Sequence, residues 1–408
     1  MKKLKVIIKI MLFFAIFIGA QSLIKYMILD DTMTISRVMM HDLYTEEQNI
    51  DILFCGASHC QLGFDTEVTD AEFGQNTFNA GSSSQGLETT LALIKETAAH
   101  NDLKQVYVDL DYSIVTRSLP NLESIYIVSD YMKLSSRKIE YLLNATSFEY
   151  YINSFMPLHK GRGYITNPEG ILNVIRKKLQ PGYFDYTEID SSYAGKGHIA
   201  SRTVIPNGSL WSQETPEERN FAIPENQQKY LREIISFCRE NNIQLTFVSV
   251  PVTDFHLAFI TNYDEYVNTI KDFLSEYSVE YYDFNLCNRE VLGIDQDCYF
   301  NDDNHLNEEG AKIFCKIFAD FFMGRLSEDE LFYGSFQEKQ QREPVRVLGV
   351  EVHRTEEGLE VKPVISAADS GELSPVCKVV RNADGYTVTV RVDNMITNQV
   401  EIKDEELR

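Results

Sequence analysis

Basic residues are scarce in this sequence, and their scarcity excludes one large class of function. The 408 residues include 38 Lys and Arg against 61 Asp and Glu, which gives a formal net charge of -23. A general footprint on nucleic acid needs clustered Lys and Arg, so no nucleic-acid partner is expected. Any anionic polymer would have to bind inside a cleft, against the negative electrostatic field of the whole protein. The hydrophobic content of 44% suffices for one large domain with a smaller unit beside it.

Metal and redox motifs are also missing. The seven cysteines form no C-x-x-C pair, and no spacing of His, Asp and Glu indicates a metal. Cys55, Cys238 and Cys315 lie in apolar patterns, where a thiol behaves as a small hydrophobe. Cys287 and Cys298 flank one loop and can pair outside the cell, which the sequence leaves open. We therefore predict no metal, no cofactor and no disulfide framework.

Long apolar runs are absent except at the N-terminus, where a run from Val6 to Leu29 follows and overlaps a basic head. A basic head keeps the N-terminus in the cytoplasm. Residues 1–30 are therefore predicted to be a single-pass membrane anchor, with the rest of the chain outside the cytoplasmic membrane. The alternative is a cleaved signal peptide with Ala20 before the cut. The run continues past Ala20 and has no clear small-x-small site, which favours a retained anchor.

Hydrophobic periodicity predicts an α/β domain at 45–326. Apolar runs alternate with helical patterns, which indicates a parallel sheet with helices on both faces. Between 113 and 221 the pattern loosens into amphipathic pieces, interpreted as a helical insertion that caps the sheet. The five predicted strands are 52–55, 76–80, 103–110, 243–251 and 279–284.

Two shorter segments follow this domain. Charge and glutamine dominate 327–343, which is therefore predicted to be a linker. Residues 344–408 contain four alternating runs and the turn Asn382-Ala383-Asp384-Gly385, typical of a small antiparallel β module. No chemistry is expected in this module.

A serine after the first strand is the candidate nucleophile. The strand ends in Gly56-Ala57-Ser58, where the chain must turn sharply. In open α/β sheets the ligand crevice lies outside the carboxyl ends of the strands, and a serine on such a turn presents its hydroxyl there. Alone, a G-x-S motif more often marks a serine that caps the following helix.

A second block, before the last helix of the domain, changes that balance. Asp302 stands three residues ahead of His305. When both residues lie on one turn, the Asp302 carboxylate can bind the His305 imidazole and fix the tautomer of the ring. The other ring nitrogen then faces a serine. The alternative is a loop that only caps the helix through Asn307, but capping does not explain His305. We predict that Ser58, Asp302 and His305 form a catalytic set, with His305 as base.

Other polar residues near these turns are weaker candidates. His59 follows the nucleophile directly, so its side chain is expected to point away along the turn and to support the site or the helix start. Asn79 is a candidate for a similar supporting role. His256 follows a later strand end on the same edge, where it can touch substrate. Lys196 and His198 match no phosphate-cradling motif and are predicted to lie in a solvated loop.

The two blocks together resemble the SGNH/GDSL hydrolase superfamily. The resemblance covers about residues 51–326, and it implies a flavodoxin-like three-layer fold with Ser58 as nucleophile and Asp302 and His305 as its partners. In that family the second block supplies a glycine N–H to the oxyanion hole, and Asn79-Ala80-Gly81-Ser82 matches it. The resemblance therefore implies that the N–H groups of Ser58 and Gly81 hold the developing charge.

One block departs from the family. The third block of the superfamily carries a glycine and an asparagine whose side chain completes the oxyanion hole. Here the corresponding strand ends in Asp109-Leu110-Asp111-Tyr112-Ser113, without Gly-x-Asn. A different donor then serves, or the hole is poorer, and either case disfavours fast ester hydrolysis.

The anchor, the G-x-S-H block, the insertion and the Y-x-N-D-x-x-H-L-N block resemble the bacterial envelope branch of the superfamily. That branch includes the D-alanyl transfer proteins of teichoic-acid modification and proteins that work beside membrane-bound O-acyltransferases. The resemblance implies an extracytoplasmic serine acyltransferase that moves an acetyl or D-alanyl group to a cell-surface polysaccharide or teichoic acid through a Ser58 acyl-enzyme. A membrane-bound O-acyltransferase is the implied partner. Two alternatives share these residues: an SGNH esterase or deacetylase, and a catalytically silent envelope protein.

Overall fold

A computed structural model describes residues 2–28, 34–146, 166–184, 186, 192–356, 358–367 and 373–407. Part of the predicted insertion, including 147–165, lies outside these ranges. The helices are α1 Lys2–Ile28, α2 Thr34–Thr45, α3 Ser58–Gly63, α4 Thr66–Phe73, α5 Leu87–Ala98, α6 Tyr112–Val115, α7 Leu122–Ser129, α8 Ser136–Ala145, α9 Pro168–Lys178, α10 Glu225–Glu240, α11 Asp254–Leu257, α12 Tyr263–Ser275, α13 Arg289–Leu292, α14 Glu308–Phe322, α15 Glu328–Leu331 and α16 Phe336–Arg342. The strands are β1 Ile52–Cys55, β2 Thr77–Asn79, β3 Gln105–Asp109, β4 Tyr193–Gly195, β5 His198–Ile199, β6 Trp211–Ser212, β7 Gln244–Ser249, β8 Glu280–Asp283, β9 Val347–Thr355, β10 Gly358–Ile365, β11 Val376–Arg381, β12 Gly385–Val392 and β13 Met395–Lys403.

Five parallel strands form the main sheet, in the order β2-β1-β3-β7-β8. The prediction of an α/β fold with a parallel sheet is confirmed. Phe54 in β1 pairs with Asn79 on one side and Tyr107 on the other. Because parallel strands end at the same edge of a sheet, the turns after β1, β2, β3 and β7 meet there.

Both faces of this sheet are buried. Leu53 and Cys55 belong to the hydrophobic core on one face, while Ile52 and Phe54 belong to the core on the other. This alternation follows from the period of two along a strand. On the second face, α14 packs its aromatic side chains over β1, with Phe318 in edge contact with Phe54. The covering of both faces explains why β1 is a continuous apolar run.

The segment predicted as a linker is structured, so that prediction is wrong. Residues 327–343 contain α15 and α16. Leu331 is fully buried, and Phe336 and Lys339 are also buried. Lys339 donates to the carbonyl oxygen of Asn285 at 2.7 Å. The composition misled because most charged and glutamine residues of these short helices face outward, while Lys339 is buried against polar partners that lie far away in the sequence.

The C-terminal region is larger than the predicted module. One three-stranded sheet joins β10 and β9 to β6, and β6 belongs to the insertion and runs parallel to β9. A second antiparallel sheet contains β11, β12 and β13, and β13 was not predicted. Asp393 and Asn394 both have positive φ, the pattern of a two-residue hairpin turn that joins β12 to β13. The region is therefore tied to the insertion by β pairing.

Among the described residues, one helix is long and apolar enough to cross a membrane. It spans Lys3–Met27, with a mean hydropathy of 2.2, and its apolar window is not covered by the rest of the protein. Near its C-terminal end, Lys25 donates to the carbonyl oxygen of Asp130 at 3.0 Å. A spanning helix and a signal sequence can both satisfy this criterion of length and hydropathy.

Candidate active site

Two turns at the carboxyl edge of the sheet bring three predicted residues together. Ser58 Oγ lies 2.7 Å from His305 Nε2. On the other side of the imidazole, Nδ1 lies 2.9 and 3.0 Å from the two carboxylate oxygens of Asp302. This is the arrangement of a nucleophile, a base and an orienting carboxylate.

Local structure leaves the Ser58 hydroxyl free of a helix-capping role. It is the first residue of α3, and the capping position belongs to Ala57, which makes no side-chain capping bond. The Ser58 hydroxyl is therefore not used to cap the helix. Gly56 permits the turn because a Cβ there would lie 2.6 Å from the Cβ of Asp109 and 2.9 Å from that of Cys60. No side chain fits at position 56.

The Asp302 carboxylate is held by its own loop. It accepts hydrogen bonds from the backbone N–H groups of Asn304 and His305, and from the Asn301 side chain at 2.8 Å. Burial would raise the pKa of Asp302, but the hydrogen bond and charge of His305, together with these donors, lower it to about 2. Asp302 is thus a carboxylate at neutral pH.

Helix capping occurs beside this site without replacing it. Asn307 is the N-cap of α14, and its side chain accepts from the N–H of Gly310 at 3.1 Å. His305 takes no part in that cap. The capping interpretation and the catalytic interpretation of this loop therefore describe different residues.

Gly81 differs from its expected role as an oxyanion donor. Its N–H donates to Asn79 Oδ1 at 2.9 Å, so the group already has a partner. The same Asn79 side chain donates to the carbonyl oxygens of Cys60 and Phe64 at 2.8 and 2.9 Å. Asn79 therefore supports α3, the helix that carries Ser58. If Gly81 is to serve in the oxyanion hole, its hydrogen bond to Asn79 must first open. The role of the Ser58 N–H as an oxyanion donor stays a prediction.

His59 does not simply point away from the site. Its ring centroid lies 4.8 Å from that of His305, and its Nδ1 lies 3.0 Å from Asp111 Oδ2. Burial would lower the pKa of His59, but the charge and hydrogen bond of Asp111, with the charges of Asp109 and Asp302, raise it to about 9. The pKa of Asp111 is held below its usual range, since His59 and the N–H of Ser113 outweigh its burial.

Asp109 completes this cluster of charges. One of its carboxylate oxygens accepts from the N–H of Val250 at 3.0 Å, and the other is buried without a hydrogen-bond partner among the described residues. Burial raises the pKa of Asp109 to about 7, although the charge of His59 opposes the increase. Sequence reasoning saw Asp109 and Asp111 only as a departure from the third block. Two acids at the end of a buried strand, beside a Ser-His turn, were a signal that could have identified this pair.

His256 lies on the expected edge and joins a separate set of hydrogen bonds. Its Nδ1 lies 3.0 Å from Asp303 Oδ2 and its Nε2 lies 3.0 Å from the Tyr112 hydroxyl. Arg219 donates to the same hydroxyl at 3.0 Å. Asp302 and Asp303 thus hold two different histidines. Tyr112 and Arg219, which the sequence did not single out, line this side of the edge.

Lys196 and His198 are not in a solvated loop, so that prediction is wrong. They lie in the β4–β5 hairpin, where His198 is only 1% exposed. Lys196 forms an ion pair with Asp70, and its carbonyl oxygen accepts from the N–H of Asn79 at 2.9 Å. The hairpin of the insertion therefore packs on the end of β2, beside the residues that support Ser58.

The seven cysteines are all free in the structure, including Cys287 and Cys298. Across the described ranges, no group of three or more His, Cys, Asp or Glu side chains is placed to hold a metal ion.

Comparison with known proteins adds little to this geometry. No protein-family model and no curated protein matches the chain. Among solved structures, it is similar to a protein described as a platelet activating factor from Streptococcus pneumonia, at 12% identity and a TM-score of 0.33, over 75% of this chain and 97% of that one. It is also similar to BT4096, a gut microbial diltiazem-metabolizing enzyme, at 11% identity and a TM-score of 0.22, over 85% of this chain and 57% of that one. Likenesses of this size carry no argument about function.

Proposed function

We propose that this chain is a serine acyltransferase of the SGNH type. The observation that carries the proposal is the 2.7 Å contact between Ser58 Oγ and His305 Nε2, with Asp302 bound to the opposite ring nitrogen. The strand order β2-β1-β3-β7-β8 supports the fold part of the proposal, because it is the doubly wound 2-1-3-4-5 order of flavodoxin-like sheets.

The reaction proceeds in two halves. Ser58 Oγ attacks the carbonyl carbon of a donor acyl group while its proton passes to His305 Nε2, and His305 then gives that proton to the leaving group. In the second half a hydroxyl of the acceptor attacks the acyl-enzyme and gives its proton to His305. The new ester leaves, and His305 returns the proton to Ser58 Oγ. Asp302 holds the imidazole throughout and stabilises its charged form.

The acyl group is acetyl or D-alanyl, and the acceptor is a cell-surface polysaccharide or teichoic acid. The resemblance of the sequence blocks to the envelope branch supports this assignment. The apolar N-terminal helix supports a single-pass anchor with the catalytic domain outside the cytoplasmic membrane. A membrane-bound O-acyltransferase at the same membrane is the proposed donor partner. Transfer is preferred over hydrolysis because the resemblance and the apolar N-terminal helix favour a domain that works beside a membrane-bound acyl donor. The missing asparagine of the third block and the internal partner of Gly81 imply a weak oxyanion hole, which slows transfer and hydrolysis alike.

The full-length protein in detergent tests this proposal directly. We expect a fluorophosphonate probe to label Ser58, located by mass spectrometry of the labelled peptide. With an aryl acetate as donor and a hydroxyl-bearing glycopolymer as acceptor, we expect ester on the polymer to form faster than acetate is released into water. Labelling with release into water as the sole outcome assigns an esterase instead. Absence of labelling overturns both enzymatic functions and leaves the silent partner protein.

Asp302→Asn should slow the labelling of Ser58 by about 10²- to 10³-fold. A fully buried carboxylate in this role typically contributes more, about 10⁴-fold, but the Asp302 side chain is 43% exposed and water can replace part of its effect. The measurement is the second-order rate of probe labelling at neutral pH. Asp303→Asn is the matched control, because Asp303 contacts His256 and not His305. Equal losses in the two variants would contradict a specific role for Asp302.

A further inference from the structure

A buried contact between His59 and Asp111 lies beside the proposed base. His59 and Asp111 have side chains that are 8% and 10% exposed, and their contact is 3.0 Å. The His59 ring is tilted by 54° against the His305 ring at a centroid distance of 4.8 Å. Asp111 binds His59 at Nδ1, and the two imidazole rings lie side by side. A charge on His59 therefore acts on His305 at short range.

The surroundings of His59 favour the charged ring. Asp111 and Asp109 face it from the end of β3, and Asp302 faces it from the loop that carries His305. Asp111 is itself fixed, since it is the N-cap of α6 and accepts from the N–H of Ser113 at 2.6 Å. Such a pair is pre-arranged, so it needs no reorganisation when the neighbouring base changes its charge.

We propose that His59, held by Asp111, is a positioning residue: a fixed imidazolium that disfavours a second positive charge on His305 and so keeps His305 free to accept the proton of Ser58. This inference rests on the proposed function, because it assigns a task to His59 only if His305 is a base. It also assigns a role to the altered third block, which contains Asp109 and Asp111. Where the family carries an amide, this chain carries the carboxylates that hold the cation.

Coulomb's law sets the size of the effect. Two unit charges about 5 Å apart repel each other appreciably at an effective dielectric constant of about 20. After partial compensation by Asp111, this repulsion disfavours simultaneous protonation of His59 and His305 by roughly one to two pH units. His59→Gln removes the cation next to His305 and takes from Asp111 its ion-pair partner. Protonation of His305 then becomes easier, so the acid limb of the labelling rate should move to higher pH.

The experiment is the pH dependence of fluorophosphonate labelling in the full-length protein. We expect His59→Gln to move the acid midpoint upward by about one to two pH units, and Asp111→Asn to move it in the same direction by less. Asp111→Glu, which keeps a carboxylate, should restore most of the wild-type midpoint. His353→Gln is the control, since that histidine pairs with Glu351 in the C-terminal region. Melting temperatures verify folding, and if His59→Gln fails to fold, the two Asp111 variants decide the question.

The possible outcomes separate the two proposals. A wild-type protein that the probe does not label overturns the proposed function, and this inference with it. A labelled wild type whose acid midpoint is unchanged in His59→Gln and Asp111→Asn overturns the role of His59 alone. A uniform loss of rate at every pH, without a shift of the midpoint, also overturns it, because that result is the signature of a purely structural residue.

Discussion

Ser58→Ala is expected to abolish probe labelling and to lower turnover of an aryl ester on the order of 10⁴- to 10⁶-fold. The hydroxyl that His305 binds at 2.7 Å is the atom that must form the acyl-enzyme, and alanine offers no substitute. Backbone donors and substrate binding remain, so some activity above the uncatalysed rate should persist. The measurement is kcat/KM for the ester, together with mass spectrometry of the protein after exposure to the probe.

A matched serine and a double variant sharpen this test. Ser113→Ala removes an exposed hydroxyl close to Asp111 and should leave labelling within about twofold of wild type, as expected for a surface substitution away from the reacting atoms. His305→Ala should lose nearly as much as Ser58→Ala, and the double variant should lose little more, because the two side chains act as one unit. Additive losses would show that they act independently. A Ser58→Ala protein that retains most of its turnover would sink the nucleophile assignment.

Much of the parallel sheet could be predicted because its physics is local. Each strand is a short apolar run bounded by a turn, and burial on both faces makes that run continuous, as in β1. β6 could not be found this way, since two residues, Trp211 and Ser212, carry no periodicity. Their strand exists only because β9, far along the chain, supplies a partner. The union of the insertion with the C-terminal region is therefore a tertiary effect.

The candidate site likewise has a part that the sequence predicts and a part that only tertiary contacts decide. Ser58 and His305 were identifiable because each occupies a short motif next to a predicted element boundary. The role of Gly81 was inferred from a backbone N–H, and sequence cannot show that the Asn79 side chain already accepts from it. His59 was expected to point away because it follows the nucleophile. Its actual direction is decided by Asp111, a buried charge that must be paired.

The residues predicted to be a linker contribute to a second buried charge cluster, which centres on Asp254. The side chain of Asp254 is 9% exposed and contacts three cations. Arg289 Nε donates to it at 2.6 Å, Arg346 Nη2 lies 3.1 Å away and Lys339 Nζ lies 3.4 Å away. Burial would raise the pKa of Asp254, but these cations hold it well below its usual range. Four separate segments of the chain thus meet at one carboxylate.

Asp254→Ala should destabilise the protein by about 3–5 kcal/mol, because it leaves Arg289, Arg346 and buried Lys339 without their shared anion. Glu343, 3.3 Å from Arg289 Nε, compensates only part of the charge. We expect the melting temperature of the full-length protein to fall by about 5–10 °C. Asp272→Ala, at an exposed position on α12, is the control and should change it by less than about 1 °C. Because Thr253 next to Asp254 donates its N–H to the carbonyl oxygen of Asp303 at 3.2 Å, the loss should also loosen the loop that carries Asp302. An unchanged melting temperature would mean that α15 and α16 dock through Leu331 and Phe336 alone, and that the ion cluster adds nothing to stability.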